Sequence, residues 1–364
     1  MNRRVFNFTA GPSMLPLPVL RRAQEEWLDF AGLGASVIEI SHFTPEFKAV
    51  VYDVEALLRE LLAIPANYRI ALAHGGGAMG FSMVALNLIA TRPARKALYV
   101  NSGYFSGRAA AEASKYGTVV EVASSEGSNF DRIPELDAAR LDADASYLHI
   151  TTNNTMVGTR WHTFPDTGGV PLVGDATSEL LSRPMDVSRF GVLYAGAQKN
   201  MGTSGLSVTL VREDLLGRAL PITPKMINYD QLARDHSLSN TTNTFAVYMA
   251  RGVLEWIKTS GGLAAIEAQN ERKAALVYEA LDRHAGFYKP HAHPAHRSRM
   301  NFTFKTPTEA LDDAFVNEGH AEGLYALRGH RMFGGIRASL YNGMPIEGAR
   351  ALAGFIDEFA RRHG

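Results

Sequence analysis

Lys199 stands near the end of the run Gly191-Val192-Leu193-Tyr194-Ala195-Gly196-Ala197-Gln198-Lys199-Asn200. Val192, Leu193 and Tyr194 are apolar and β-prone, and read as a buried strand. Ala195, Gly196 and Ala197 then carry so little side chain that a flat ligand could lie against the backbone. An amine delivered from a buried strand into such a cleft loses solvation. That lowers its pKa and makes it a nucleophile toward carbonyls. Most lysines at strand ends are solvated surface residues, so the chemical reading needs partners.

The first partner is Asp175, which ends a second short apolar strand, Val170-Pro171-Leu172-Val173-Gly174-Asp175. An amine and a carboxylate at corresponding strand ends suit a pyridoxal 5′-phosphate (PLP) site. Lys199 would form the Schiff base, and Asp175 would keep the pyridine nitrogen protonated so that the ring acts as an electron sink. A plain helix N-cap is an equally open role for Asp175. Gly75-Gly76-Gly77 before a helix outlines a phosphate cradle, with bare N–H groups at a positive helix end. A tight strand-to-helix turn explains the same glycines, and neither the dinucleotide pattern nor a Walker lysine is present. Phe105 could stack on an aromatic ring or fill the core. His330, Arg331 and Arg337 are candidate anion binders, since arginine's planar fork suits carboxylate and phosphate; solvated surface charge is the alternative. The histidines form no metal motif. His291, His293 and His296 read as a polar loop, and no metal is expected.

These residues need elements to hold them. Helical spacing appears at Phe47, Val50, Val51, Val54, Leu57, Leu58, Leu61 and Leu62, with Pro45 suited to the first turn. A helix is also expected from Pro18 to about Phe30, and Ser36–Phe43 is expected to be extended. Beyond residue 69, short apolar strands alternate with helical segments at Ile70–Ala73, Ala97–Val100, Val119–Val122, Tyr147–Ile150, and the Asp175 and Lys199 strands. Helices are expected from about Gly107 to Tyr116, Phe245 to Lys258 and Leu263 to His284. Leu206–Val211 reads as a hairpin return, and Pro221–Thr244 as irregular. This pattern argues an α/β fold with a mostly parallel central sheet covered on both faces. Ligands of such sheets bind at the carboxyl ends of strands, which is where Asp175, Lys199, the Gly75 loop and Thr155 all fall. The expected division is an arm over residues 1–17, a large domain over 18–259 and a smaller α+β domain over 260–364.

Lys+Arg and Asp+Glu balance at 37 each, so nothing points to nucleic acid or to an anionic membrane. The absence of cysteine rules out disulfides and thiolate catalysis and fits a cytoplasmic setting. No apolar leader follows Met1, and no run approaches the length of a membrane span.

With these residues assembled, the chain resembles the phosphoserine aminotransferases, class V, fold-type I PLP enzymes. The resemblance covers nearly the whole chain and is carried by Phe6-Asn7-Phe8-Thr9-Ala10-Gly11-Pro12, by Ser182-Arg183-Pro184-Met185-Asp186-Val187-Ser188-Arg189, by Tyr194 to Asn200, and by Gly329-His330-Arg331 through Tyr341-Asn342. It implies that Lys199 is the Schiff-base lysine and Asp175 the partner of the pyridine nitrogen. Gly77, Ala78, Thr155, Ser178 and Gln198 would surround the cofactor. Phe105 would take the ring-stacking position, where the family usually has tryptophan. Asn240 and Thr241 would reach the cofactor phosphate from the neighbouring subunit of a homodimer. His42, His330, Arg331 and Arg337 would bind the substrates, which are small amino and 2-oxo acids. The implied reaction moves an amino group from glutamate to 3-phosphohydroxypyruvate in serine biosynthesis. One departure bears on the substrate: Ser41-His42-Phe43 stands where the family has Ser-His-Arg. Loss of that cation leads to the alternative expectation of a class V homologue acting on an unphosphorylated 2-oxo acid.

Overall fold

The computed structural model describes residues 4–364; Met1–Arg3, the start of the expected arm, lie outside the described residues. The chain opens with β1 (Phe6–Asn7), α1 (Leu17–Glu25) and α2 (Pro45–Leu61). α2 begins as the sequence dictates. Pro45 takes the first turn, where no N–H is needed, and Thr44 Oγ1 accepts from the Phe47 N–H at 3.3 Å. Its Phe47, Val50, Val51, Val54 and Leu58 face is buried.

The sheet-forming region follows: β2 (Tyr68–Gly75), α3 (Gly77–Leu88), β3 (Lys96–Asn101), α4 (Tyr104–Ala113), β4 (Thr118–Ser124), β5 (Tyr147–Thr151), a small hairpin of β6 (Asn153–Asn154) and β7 (Thr159–Arg160), then β8 (Leu172–Asp175), β9 (Val192–Gly196) and β10 (Gly205–Arg212). A seven-stranded sheet runs in the order β2-β10-β9-β8-β5-β3-β4. Its neighbours from β9 to β4 are all parallel. β10 alone runs against its neighbours, pairing antiparallel with both β9 and β2. The expected return strand is therefore internal to the sheet. β8 and β9 are buried along their whole length, as a strand covered on both faces must be. Gly174 fits that crowding, because a Cβ there would lie 2.7 Å from Phe190 Cε1. Register sets the site: Thr151 pairs with Asp175, and Asp175 with Tyr194, so these strands end together on one edge.

The rest of the chain comprises α5 (Tyr229–Arg234), α6 (Thr244–Thr259), α7 (Gly262–Arg283), β11 (Lys289–Pro290), β12 (Asn301–Lys305), α8 (Glu309–Ala321), β13 (Leu324–Tyr325), β14 (Ile336–Ser339) and α9 (Ile346–His363). β11, β12 and β14 form a second, three-stranded sheet. Two apolar clusters cover the large sheet, and a third gathers α8, α9, β12, β14 and the later half of α7. α7 spans two cores: Leu263 and Ile266 belong with the large sheet, and Ala274, Val277 and Leu281 with the small one.

Four local expectations are corrected. Ser36–Phe43 is not extended but folds in turns; the Glu39 N–H returns to Ser36 O, and the Ser36 N–H to Glu39 Oε2, so local side-chain bonding wins over strand pairing. α1 stops at Glu25 instead of about Phe30, where Tyr248 takes Glu26 as its acceptor and Trp27 turns edge-on to Phe245. α4 starts at Tyr104, three residues early, because Ser106 Oγ accepts from the Ser102 and Gly103 N–H groups. Within the stretch expected to be irregular, Asn228 caps the short helix α5 through the Asp230 and Gln231 N–H groups. The arm also holds more structure than a loop: β1 pairs with β13, and Phe8 and Met14 enter the small-sheet core.

Candidate active site

At the shared edge of β5, β8 and β9 lies a cavity of about 130 Å³ lined by Gly77, Ala78, Phe81, Phe105, Thr151, Asn153, Thr155, Asp175, Thr177, Ser178, Gln198 and Lys199. Lys199 is 8% exposed, and its Nζ donates to Thr155 Oγ1 at 2.6 Å. Burial pulls its amine down to about 7, and Arg337 pushes the same way, while Asp175 opposes them. The Phe105 ring centroid is 5.7 Å from Nζ and the Tyr341 centroid 6.0 Å. The Gly11-containing arm crosses this lysine: a Cβ at Gly11 would lie 3.4 Å from Lys199 Cγ, the Ser13 N–H donates to Gln198 O at 2.9 Å, and Ser13 Oγ donates to Lys199 O.

Asp175 is buried. Burial raises its carboxyl pKa, while Thr177 and the charge of Lys199 draw it back. Oδ1 accepts the Thr177 N–H at 3.0 Å, so the capping role is filled, and the same residue still lines the cavity. The glycines explain how close the elements come. A Cβ at Gly77 would lie 2.5 Å from Thr177 Oγ1, and one at Gly196 would lie 2.5 Å from Gly77 N. The first turn of the twelve-residue α3 therefore presses on the end of β9, with its N-terminal N–H groups at the cavity.

Of the expected cofactor residues, Gly77, Ala78, Phe105, Thr155, Asp175, Ser178, Gln198 and Lys199 line this cavity together. Asn240 and Thr241 do not. Asn240 is half-buried, and exposed Thr241 has its O held by His74 Nε2 at 2.7 Å. Among the substrate candidates, partial burial lowers the pKa of the His330 ring, and Arg337 and Arg331 push it the same way, so these three lie near one another; Arg337 also acts on Lys199. Arg337 is half-buried, its Nε is buried without a partner, and Nη1 meets only Met156 Sδ at 2.8 Å. A largely desolvated guanidinium with no counter-ion among the described residues is suited to an incoming anion. His42 is buried against exposed Phe43, with ring centroids 3.9 Å apart, and is absent from the cavity lining.

Sequence reading missed Phe81, Thr151, Asn153 and Thr177. Thr177 was within reach, as the residue whose N–H closes a turn on Asp175. Asn153 carried no signal, because its role comes from the fold: its Nδ2 bonds Ser178 Oγ and Asn301 Oδ1, both at 2.8 Å. The residues present fit PLP. A desolvated amine faces a buried carboxylate, an aromatic ring flanks the slot, a helix N-terminus offers N–H groups to a phosphate, and Gln198 Oε1 is buried without a partner.

Comparison with known proteins agrees. The aminotransferase class-V family model matches residues 5–352. Phosphoserine aminotransferase of Lysinibacillus sphaericus (strain C3-41) is 46% identical over 363 residues, covering all of both chains. The solved phosphoserine aminotransferase from Bacillus circulans subsp. alkalophilus superposes with a TM-score of 0.95 at 42% identity, over 99% of each chain. The PLP-bound phosphoserine aminotransferase from Trichomonas vaginalis gives 0.92 at 35%, over 97% of this chain and 99% of that one. The chain belongs to the class V aminotransferase family, with the α/β fold-type I architecture. Full-length likeness to proteins of that one name does not favour the unphosphorylated-acceptor alternative.

Proposed function

We propose that this class V aminotransferase uses PLP to move the amino group of glutamate to 3-phosphohydroxypyruvate, giving phosphoserine and 2-oxoglutarate for serine biosynthesis. The observation that carries this reading is Lys199: a buried amine, pulled down to about 7, in a cavity it shares with Asp175. When bound, PLP supplies an electron-withdrawing ring that acidifies the Cα–H of the amino acid.

The chain's own residues do the rest. Lys199 would hold the cofactor and, as an amine that changes protonation near pH 7, would take up a proton at Nζ and return it. Asp175 offers a fixed negative charge to the pyridine nitrogen. Phe105 would flank the cofactor ring, and Gly77, Ala78, Thr155, Ser178 and Gln198 would hold its polar groups. Arg337 takes a substrate α-carboxylate, and His330, Arg331 and His42 serve the substrate phosphate. Asn240 and Thr241 act across a homodimer interface, which explains why they stand outside their own subunit's cavity. We place the domain boundary near residue 260, with residues up to 17 as an arm, and the enzyme in the cytoplasm. No helix among the described residues is long and apolar enough to cross a membrane.

The test is direct. Purified protein is given PLP, glutamate and 3-phosphohydroxypyruvate, and products are read by mass spectrometry. Equal amounts of phosphoserine and 2-oxoglutarate are expected. Amination of unphosphorylated 2-oxo acids, with 3-phosphohydroxypyruvate left untouched, contradicts the reading.

A further inference from the structure

Asn153, in the β6–β7 hairpin, lines the same cavity as Lys199 but has no part in the mechanism above. It is buried, and its amide is fully used. Nδ2 donates to Ser178 Oγ and to Asn301 Oδ1, both at 2.8 Å, and Oδ1 accepts from Ser298 Oγ at 2.5 Å. The neighbours fix which way this amide faces. The Ser178 hydroxyl gives its one hydrogen to Asn153 O at 2.7 Å, so toward Nδ2 it can only accept. Ser298 Oγ already accepts from the Met300 and Asn301 N–H groups, at 3.0 and 3.1 Å, so its hydrogen goes to Oδ1. The second Nδ2 hydrogen is left for Asn301.

Asn301 carries the connection into the small sheet. It pairs with Ser339 across β12 and β14, and its Nδ2 donates to Ser339 Oγ at 2.9 Å. Ser339 lies two residues from Arg337, so the two share a face of β14. The hairpin also presses on β12 directly: a Cβ at Gly158 would lie 2.8 Å from Asn301 O. Thr303, the cross-strand partner of Arg337, donates from Oγ1 to Met156 O at 3.0 Å. The tie through Asn153 is the one that runs on into the cavity wall at Ser178. We propose that Asn153 is a positioning residue: through Asn301 and Ser339 it sets Arg337 at the distance from the cofactor space that a substrate α-carboxylate needs. The proposal rests on Arg337 taking that carboxylate.

Two variants test it in the full-length, PLP-loaded enzyme with glutamate as the varied substrate. Asn153→Ala cuts the tie at the cavity. Ser339→Ala cuts it from the far side, removing one hydroxyl that stands outside the cavity lining. A displaced guanidinium weakens binding of the carboxylate in ground and transition states alike, which raises KM and leaves kcat nearly unchanged. KM for glutamate should rise about tenfold in Asn153→Ala and about threefold in Ser339→Ala, the scale of one weakened charge-assisted contact. An amide that only supports the fold would lower the melting temperature and leave KM native. In an Arg337→Ala background, Asn153→Ala should add nothing to the loss in kcat/KM. A native KM in Asn153→Ala overturns the proposal, and so does an equal further loss in the Arg337→Ala background. Should Asn153→Ala fail to fold, a native KM in Ser339→Ala overturns it. A native KM in Arg337→Ala alone removes the premise, and is told apart because it strikes the carboxylate reading before Asn153 is touched.

Discussion

The backbone N–H of Asn342 donates to Asn200 Oδ1 at 3.0 Å, fastening the turn after β14 to the residue that follows Lys199. Asn342 Nδ2 donates to Leu181 O at 2.8 Å, and Asn270 Nδ2 on α7 donates to Asn342 Oδ1 at 3.0 Å. Lys273, wholly buried, donates to Tyr341 O at 2.8 Å and to Met344 O at 3.1 Å. The strand that carries Arg337 is therefore set relative to Lys199 by directional buried bonds as well as by packing.

Removing that fastening should cost stability. Asn342→Ala leaves Leu181 O without its donor and removes one acceptor of the Asn270 amide. Each buried polar group left unpaired costs about 1–3 kcal/mol. Urea denaturation followed by circular dichroism should show a midpoint lowered accordingly, and an unchanged midpoint would show that the turn is held by packing alone.

Asp175→Asn should keep the Asx turn to the Thr177 N–H, since an amide oxygen accepts as well, while losing the charge. Breaking a buried ionic partnership costs roughly 3–5 kcal/mol, or at least about 100-fold in rate. Steady-state transamination against the melting temperature separates the two roles: slow turnover with a near-native melting temperature is expected. Native turnover would reduce Asp175 to a cap.

Lys199 gives a pH dependence with a definite sign. Its amine lies at about 7, below the ordinary lysine value of 10.5, mainly through burial. Only the neutral amine attacks an aldehyde, so capture of PLP by the cofactor-free chain should be level above that value. It should fall about tenfold per pH unit below it. Stopped-flow absorbance over pH 5 to 9 checks this. A rate still climbing steeply at pH 9 would place the amine near its ordinary value and contradict the desolvated site.

Gly196→Ala places a methyl 2.5 Å from Gly77 N, a backbone atom that cannot step aside without moving the start of α3. Overpacking of this kind typically costs about 1–3 kcal/mol. Here it falls on the helix end that is to hold the phosphate. Weaker retention of PLP is expected on dialysis, with the far-ultraviolet spectrum preserved. Native retention would mean that the approach of α3 to β9 does not matter for the cofactor.

The large sheet was legible because its strands advertise themselves. Val192–Tyr194 and Leu172–Val173 are apolar without interruption, as strands buried on both faces must be. The meeting of Lys199 and Asp175 in one cavity was legible because residue type and strand end coincide there. What stayed hidden depends on contacts distant in sequence. Asn153 and Tyr341 reach the site through partners more than a hundred residues away, which no local pattern encodes. The Ser36–Phe43 stretch misled for the opposite reason: Ser36 and Glu39 bond each other across three residues, and that local closure outweighs the extended preference of the chain.

The central claim is that Lys199, and no other lysine, carries the cofactor. Lys273 is the natural rival, since burial also pulls its amine down to about 7, but its Nζ is occupied by backbone carbonyls away from the cavity. The loaded enzyme is reduced with borohydride, digested and mapped by mass spectrometry. The account predicts one pyridoxyl-phosphate adduct, on the peptide containing Lys199, and its disappearance in Lys199→Ala. An adduct on Lys273 or any other lysine, or a Lys199→Ala protein that still binds PLP covalently and turns over, would contradict it.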